Sequence, residues 1–273
     1  ALDHYQRAVE LNAENPGLRS SAGMIALMAG RPDLALDHFG AAARLDPTNP
    51  QPLLYAAQIN LRSGRLDQAA SRLDRVLELE PGLPVALATL AAVELQRENE
   101  QRAIELADRA LRLEPANLDL RVQAAKIRRK AGRPQAALEL LVGLSPKQRG
   151  TSAVTYELAA AYEAAEMHDP ALASWSNLYN TAPTAALAME SAARAGLAAL
   201  ELEEPSLAAA WRTRAEEALG RVLPDTSGER EIAESRTAAR QWLSRLERGI
   251  ADAGESAQSA VDPADDDRGL EDE

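Results

Sequence analysis

Histidine is the residue type in this chain best suited to bind a transition metal, because the 273 residues include no cysteine. His4 and His38 each follow an aspartate and lie 34 positions apart, whereas His168 stands alone. If that spacing places His4 and His38 on successive helix pairs, about 10 Å separates them, yet zinc ligands lie within about 2 Å of one ion. We therefore expect no metal site, with His38 on an exposed helix face and His168 in a solvated turn.

The sequence offers equally little for catalysis or for a bound cofactor. It contains no GxxxxGK[ST] or GxGxxG motif for phosphate groups, and its serines, histidines and aspartates form no arrangement typical of a hydrolase. The lack of cysteine also excludes disulfides and thiolate sites. We therefore predict no catalytic residue, no cofactor and no metal, and a protein that is not an enzyme.

Small residues recur every 34 positions and indicate the elements that would carry any site. Helix axes approach to about 8 Å only where the side chains at the crossing are small, and a 34-residue period is typical of stacked helix–turn–helix units. Three columns share this period: Ala1, Ala35, Ala69, Ala103, Ala137 and Ala171; Gly23, Ala57, Ala91, Ala125 and Ala159; and Pro47, Pro81, Pro115 and Pro183.

The net charge of the chain limits the kinds of partner that it is expected to bind. The formal net charge is −12, and from Asp252 onward nine acidic residues stand against one base, Arg268. A net negative charge opposes binding to nucleic acid or to an anionic membrane surface, and no apolar run is long enough to span a bilayer. We expect a protein or peptide partner, no nucleic acid and no direct membrane span. The abundance of Ala, Arg and Leu hints at a bacterium, with the cytoplasm and the periplasm both open.

The repeat resembles the tetratricopeptide repeat (TPR) family. That pattern has small residues at positions 8 and 27, Ala at 20, a large apolar residue at 24 and Pro at 32. One repeat matches with Gly23, Ala35, Phe39, Ala42 and Pro47, and a later one with Leu158, Ala159, Tyr162, Ala171, Trp175 and Pro183. The resemblance implies an all-α fold, a right-handed α-solenoid of stacked helix–turn–helix TPR units with a C-terminal capping helix.

The repeat register divides the chain. We predict a TPR array over residues 1–183 (a half repeat at 1–15, then five repeats), a degenerate helical pair at 184–222, a capping helix at 228–250 and an acidic disordered tail at 251–273. In the fourth complete repeat, the fifth when the half repeat is counted, Gly143 interrupts the second helix and residues 145–150 are expected to be a loop. After Pro183 the register is lost, because its continuation would place Pro205 in the alanine column.

The resemblance also implies a concave groove, lined in the family by positions 2, 5, 9, 12 and 13 of each first helix. This groove is expected to be apolar through residues 20–96 and then basic from Lys126 to Arg133. The alternative is that its leucines pack between helices and that the basic run is a solvated helix end. The partner-binding residues predicted are Ser20, Met24, Leu27, Leu54, Gln58, Leu61, Ala88, Ala92, Val122, Lys126, Arg129, Lys130 and Tyr156.

These patterns leave more than one functional hypothesis. The leading one is a non-catalytic scaffold that binds a helical or extended segment of another protein in the groove. A receptor for chaperone tails is disfavoured, because the family's Lys and Asn carboxylate clamp is absent. An alternative is an adaptor portion of a larger enzyme or membrane-anchored assembly, with the active domain or an anchor upstream of residue 1. Self-association through residues 1–12 is a third hypothesis, and the acidic tail either solubilises the protein or folds back on the basic run.

Overall fold

The computed structural model describes residues 11–221 and 240–253, together with the single residues 7 and 237. This part of the chain contains α-helices and no β-strand. The helices are α1 (Pro16–Met28), α2 (Pro32–Leu45), α3 (Gln51–Arg62), α4 (Leu66–Leu79), α5 (Pro84–Gln96), α6 (Glu100–Leu113), α7 (Leu118–Lys130), α8 (Pro134–Val142), α9 (Pro146–Arg149), α10 (Ser152–Ala164), α11 (His168–Thr181), α12 (Ala185–Glu201) and α13 (Pro205–Gly220). Residues 240–253 are also helical.

The contacts divide the chain into two compact units, Ala1–Leu140 (unit 1) and Leu141–Glu273 (unit 2). In unit 1, α1 packs against α2, α3 against α4, and α5 against α6. Each second helix also packs against the first helix of the next pair, and the first helices α5 and α7 contact each other. In unit 2, α10 packs against α11 and α12 against α13. The predicted fold of stacked helix pairs is therefore confirmed.

The small-residue column of the first helices lies where the helices approach most closely. A Cβ atom added at Gly23 would lie 2.9 Å from Cε1 of Phe39 on the paired helix. Large side chains fill the space beside the column, and Phe39, Leu73 and Trp175 are fully buried. The buried members of the column are Gly23, Ala57, Ala91, Ala125 and Ala159.

The turns inside the helix pairs repeat one backbone conformation. A residue with positive φ follows each first helix at the same 34-residue spacing, and a left-handed residue ends a helix without breaking its last hydrogen bonds. Glycine adopts this conformation without strain, but two of the positions carry glutamate. The φ angles are 69° at Gly30, 70° at Gly64, 64° at Glu98, 68° at Gly132 and 57° at Glu166.

The turns between helix pairs also repeat, because each contains a proline. Asp46, Glu80 and Glu114 end α2, α4 and α6 with nearly the same dihedrals, φ −132°, −132° and −133° and ψ 87°, 83° and 73°. Each precedes a proline, which disfavours the helical conformation in the residue before it. The proline column therefore stops α2, α4 and α6 at the same place.

In the fourth complete repeat, the structure differs from the loop predicted at residues 145–150. The second helix, α8, ends at Val142, but Pro146–Arg149 forms the short helix α9. Ser145 caps it: its hydroxyl accepts from the backbone N–H of Gln148, whose side chain accepts from the N–H of Ser145. Pro146 occupies the first helical turn, where its missing N–H costs nothing. This capping box is the physical reason why the prediction of a loop was wrong.

The 34-residue repeat register continues past Pro183, where it was expected to be lost. Ala193 lies 34 residues after Ala159 and is fully buried, so the first-helix column persists in α12. The next positive φ, 60° at Glu203, comes 37 residues after Glu166. The extra residues therefore lie in the C-terminal half of α12, which has 17 residues where α10 has 13.

The helical residues 240–253 pack on α12 and α13 in unit 2. Leu246 is fully buried. A Cβ atom at Gly196 would lie 2.7 Å from Cδ2 of Leu246, and one at Gly249 would lie 2.5 Å from Cδ1 of Leu200. Glycine in both helices thus permits a close crossing that covers the apolar side of α12 and α13.

His38 lies in a different environment from the one predicted. Its side chain is 6% exposed on α2, because it turns toward the helix packing instead of toward solvent. Neither ring nitrogen has a hydrogen-bond partner among the residues that the structure describes. Burial lowers the pKa of His38, nearby Arg19 lowers it further, and Asp37 partly offsets both. The expected exposed position of His38 was therefore wrong.

Several predictions fall outside the described residues. They are most of the half repeat at residues 1–15, the self-associating segment at 1–12, the beginning of the capping helix from residue 228, and the acidic tail from residue 254.

Replacing Gly196 tests the close crossing of α12 with residues 240–253. Gly196→Ala places a methyl group against Leu246 and the Cβ of Trp211, 3.2 Å away, and overpacking of a filled core costs about 1–3 kcal/mol. We expect a net loss of about 1 kcal/mol after the gain in helix propensity, which is roughly 1 kcal/mol. The matched control is Gly220→Ala, where the new methyl group meets no atom within 4 Å. Thermal unfolding followed by circular dichroism should show a lower Tm for Gly196→Ala alone; equal Tm values contradict the close crossing.

The buried His38 predicts a pH dependence of stability. The lowered pKa means that the native state keeps His38 neutral, whereas the unfolded state protonates it near pH 6.5. The buried, neutral His38 therefore contributes to stability above pH 6.5, and this contribution is lost as the pH falls toward the pKa of His38 in the native state. His38→Leu should flatten the decrease in the free energy of unfolding between pH 7.5 and 5.5. An identical pH profile for wild type and His38→Leu would refute the prediction.

Candidate functional site

A concave space of about 490 Å³ lies on the first helices of unit 1. Its walls come from α3, α5 and α7, which the repeat places side by side. Residues that occupy the same position of the repeat line up across these three helices. Gln58, Ala92 and Lys126, for example, all occupy position 9. The lining residues are Gln58, Leu61, Arg62, Ala88, Thr89, Ala92, Leu95, Gln96, Gln123, Lys126, Ile127 and Lys130.

The floor of this groove is apolar. Ala88 and Ile127 are almost fully buried, while Leu61, Ala92 and Leu95 are half-buried and present part of their side chains to the groove. An apolar side chain that enters such a surface gains about 25 cal/mol per Å² of area removed from water. The floor can therefore anchor one or two apolar side chains.

Two lysines form the basic end of the groove. Lys126 and Lys130 are exposed on α7 and lie four residues apart, so they share one helix face. Neither forms an ion pair within the described part of the chain. Their ammonium groups are free to bind carboxylates entering the groove.

The neighbouring bases of the predicted basic run have other roles. Arg128 forms an ion pair with Asp108, 2.6 Å from Nη2 to Oδ1, and both side chains are largely buried. Arg133 donates to the side chain of Gln101 at 3.2 Å. Both side chains join α7, or the turn that follows it, to α6 of the previous pair. The basic run thus separates into structural arginines and two groove lysines.

Three amide side chains also line the groove, one from each of α3, α5 and α7. Gln58 is half-buried, Gln96 and Gln123 are exposed, and none of them forms a hydrogen bond among the described residues. Thr89 differs, since its hydroxyl donates to the carbonyl of Val85 at 2.6 Å. A glutamine amide both donates and accepts, so these side chains can pair with the main chain of a bound segment.

The structure brings together six of the thirteen residues predicted from sequence: Gln58, Leu61, Ala88, Ala92, Lys126 and Lys130. Leu54, at 3% exposure, belongs to the core instead, in the same buried cluster of unit 1 as Leu87 and Leu90. The alternative interpretation, in which the leucines pack between helices, therefore holds for Leu54. Ser20, Met24, Leu27, Val122, Arg129 and Tyr156 do not line this space.

Position 6 of the repeat was missed as a groove position. Thr89 and Gln123 both occupy it, on α5 and α7. The signal was present in the sequence, because position 6 lies one helical turn before positions 9 and 10 on the same face. Ile127, at position 10, is almost fully buried but also lines the groove.

In unit 2 the predicted residue Tyr156 is engaged with the protein itself. Its hydroxyl donates to Oε1 of Glu190 at 3.0 Å, and its ring packs edge-to-face on Trp175 with centroids 5.3 Å apart. Burial, with a further contribution from Glu190, raises the pKa of Tyr156 to about 12. Tyr156 therefore remains a neutral donor and is not an open groove residue.

Arg194 is the centre of the same cluster. Its guanidinium carbon lies 4.8 Å from the ring centroid of Trp175 and 4.7 Å from that of Trp242, a geometry of cation–π attraction. It also pairs with Glu163 and Glu190 at 3.0 Å. Arg194 occupies position 9, the row that carries Lys126 in unit 1. In unit 2, residues 240–253 therefore cover this part of α12.

The described residues contain no group of three or more His, Cys, Asp or Glu side chains placed to hold a metal ion. None of the helices in the described part is both long enough and apolar enough to cross a membrane.

Comparison with known families gives one match. A tetratricopeptide repeat family model matches residues 26–93, which run from α1 to α5. A comparison with curated protein sequences finds no match.

Solved structures share the fold over most of the chain. A tetratricopeptide repeat protein from Parabacteroides merdae has 18% identity and a TM-score of 0.66, covering 86% of this chain and 90% of that one. TTC0263 from Thermus thermophilus, also a TPR protein, has 21% identity and a TM-score of 0.56, covering 66% and 98%. YrrB, described as a TPR protein with an unusual peptide-binding site, has 18% identity and a TM-score of 0.50, covering 70% and 98%.

At these identities the structural neighbours establish the fold alone. The family model supplies the sequence relationship, and its match lies within the region where the small-residue columns are buried. The fold supports a protein-interaction scaffold in general terms. Residues 26–93 thus match the tetratricopeptide repeat family, and the chain shares the stacked helix-pair fold of TPR proteins.

Proposed function

We propose that this protein is a non-catalytic scaffold that binds an acidic segment of another polypeptide in the groove of unit 1. The observation that carries the proposal is the pairing of an apolar floor with the exposed Lys126 and Lys130, which form no ion pair among the described residues.

The floor and the lysines contribute in different ways. Full burial of one Leu or Ile side chain stabilises a complex by about 1.5–3 kcal/mol. An exposed ion pair contributes about 0–1 kcal/mol, so the lysines add selectivity and association rate more than affinity. The preferred ligand therefore carries an apolar residue beside one or two carboxylates.

The three glutamines favour an extended segment over a helical one. A helix satisfies its own backbone N–H and C=O groups, whereas an extended segment leaves them free. Gln58, Gln96 and Gln123 lie along the groove with unpaired amides among the described residues and can bond those groups. YrrB, which shares the fold, has a peptide-binding site of its own, and a peptide ligand agrees with this proposal.

We also propose a division of roles along the chain. Residues 1–183 carry the interaction array, and residues 184–222 form a degenerate helical pair. Residues 228–250 cap that pair, and the burial of Leu246 against Gly196 supports this role for the described part of the segment. A solenoid needs such a cap because its last pair has no following repeat to cover it.

A double charge reversal tests the proposed ligand class. Peptides selected from a random library on the wild-type protein should be enriched in Asp and Glu beside Leu or Ile. Lys126→Glu with Lys130→Glu should weaken the selected peptides tenfold or more, because attraction becomes repulsion at the same place. Fluorescence anisotropy with a labelled selected peptide gives the Kd.

The matched control reverses two exposed bases outside the groove, Lys147→Glu with Arg112→Glu. This variant has the same net charge and should bind within twofold of wild type. Equal affinity of both double variants would overturn the proposal, as would selected peptides without acidic enrichment.

A further inference from the structure

Basic side chains line the unit 1 groove from both of its outer helices. Arg62 lines it from α3, whereas Lys126 and Lys130 line it from α7. Arg62 is exposed and, like the two lysines, forms no hydrogen bond or ion pair within the described part of the chain. The helix between them, α5, contributes no charged residue to the groove. Carboxylates can therefore bind at both edges of the groove.

The separation of the two edges follows from the helix packing. Arg62, Gln96 and Lys130 are the last residues of α3, α5 and α7, so they share one rim of the groove. α5 contacts both α3 and α7, and the axes of packed helices lie about 8–10 Å apart. Two such intervals place the helix positions of Arg62 and Lys130 about 16–20 Å apart.

The apolar part of the groove lies midway between these edges. Ala88, Ala92 and Leu95 all come from α5. Leu61 of α3 packs on the same apolar cluster as Leu95. From α3 to α7 the groove therefore presents a base, an apolar surface and then two bases.

We propose that the groove selects an extended segment with two carboxylates six residues apart and an apolar residue midway between them. Arg62 is a specificity-determining residue that binds one carboxylate, while Lys126 and Lys130 bind the other. This inference rests on the proposed function of the groove, and it adds a second anchor and a defined spacing.

The polyproline II conformation satisfies this spacing. It has three residues per turn and rises about 3.1 Å per residue, so every third side chain points the same way and six residues span about 19 Å. The first, fourth and seventh residues of such a segment face Arg62, the apolar surface of α5 and Lys130. An α-helix rises about 1.5 Å per residue and would need about thirteen residues for the same span.

The glutamines of the groove favour the same conformation. A polyproline II backbone makes no internal hydrogen bonds. Its N–H and C=O groups are therefore available to Gln58, Gln96 and Gln123, whose side chains have no partner among the described residues. Charge, apolar contact and backbone pairing thus agree on one ligand geometry.

Two labelled peptides of identical composition test the spacing. Both have Leu at position 4 in a background of Pro and Ser. The spaced peptide has Asp at positions 1 and 7, whereas the close peptide has Asp at positions 2 and 6, which a β-strand would present on one face. Fluorescence anisotropy with the full chain should give a Kd for the spaced peptide about twofold to fivefold lower, because the close peptide loses one exposed ion pair.

Arg62→Gln tests the second anchor. This variant should weaken the spaced peptide about twofold to fivefold. The matched control is Arg44→Gln, which removes an exposed arginine from the last turn of α2, outside the groove, and should leave the Kd unchanged.

Two further peptides, with Asn in place of either the first or the second Asp of the spaced peptide, show which base binds which carboxylate. One of them should lose its sensitivity to Arg62→Gln and keep its sensitivity to Lys130→Gln, and the other should show the reverse. A structural effect of Arg62→Gln on α3 would weaken both peptides alike.

Equal Kd values for the two spacings would overturn the inference, as would equal effects of Arg62→Gln on both Asn peptides. If that happens while the double charge reversal of Lys126 and Lys130 still weakens binding, the inference fails and the proposed function stands. If binding of neither spacing depends on the lysines, both fail.

Discussion

The close approach of paired helices at small residues is the constraint on which the structure depends. Gly23 leaves no room for a Cβ against Phe39, and the alanines that follow it at 34-residue intervals are fully buried. A larger side chain in this column would push two helices apart, and the displacement would pass to the next pair. The column therefore fixes the spacing of the two helices within a pair.

That spacing also creates the groove of unit 1. Because each helix pair repeats the geometry of the preceding pair, residues at the same repeat position align across α3, α5 and α7. Gln58, Ala92 and Lys126 form one such row. The fold supplies a surface on which side chains recur at regular intervals, and the residues at positions 9 and 13 determine the polarity and charge of that surface. The same position in unit 2 holds Arg194, which aromatic rings and two glutamates enclose. One repeat position thus carries an exposed lysine, Lys126, in unit 1 and an enclosed arginine, Arg194, in unit 2.

The fold was predictable from sequence because its determinants are local and periodic. Small residues, prolines and turn glycines each recur at fixed spacing, and each acts on the backbone near it. The prediction failed where a local cap or a tertiary contact decided the outcome. Ser145 and Gln148 form a capping box that turns an expected loop into α9, and His38 is buried by the packing of its helix. Groove membership was less predictable, because exposure depends on neighbouring helices: Leu54 is in the core, while Gln123 lines the groove.

The central claim is that a polypeptide segment binds in the unit 1 groove, and side-chain amide signals report on it directly. In ¹H–¹⁵N spectra of the labelled protein, an added acidic peptide containing leucine should shift the side-chain amide resonances of Gln58, Gln96 and Gln123 in a saturable manner. Gln101, whose side chain bonds Glu105 and Arg133 outside the groove, should not shift. Saturable shifts at Gln101 with none at the three groove glutamines would contradict the account.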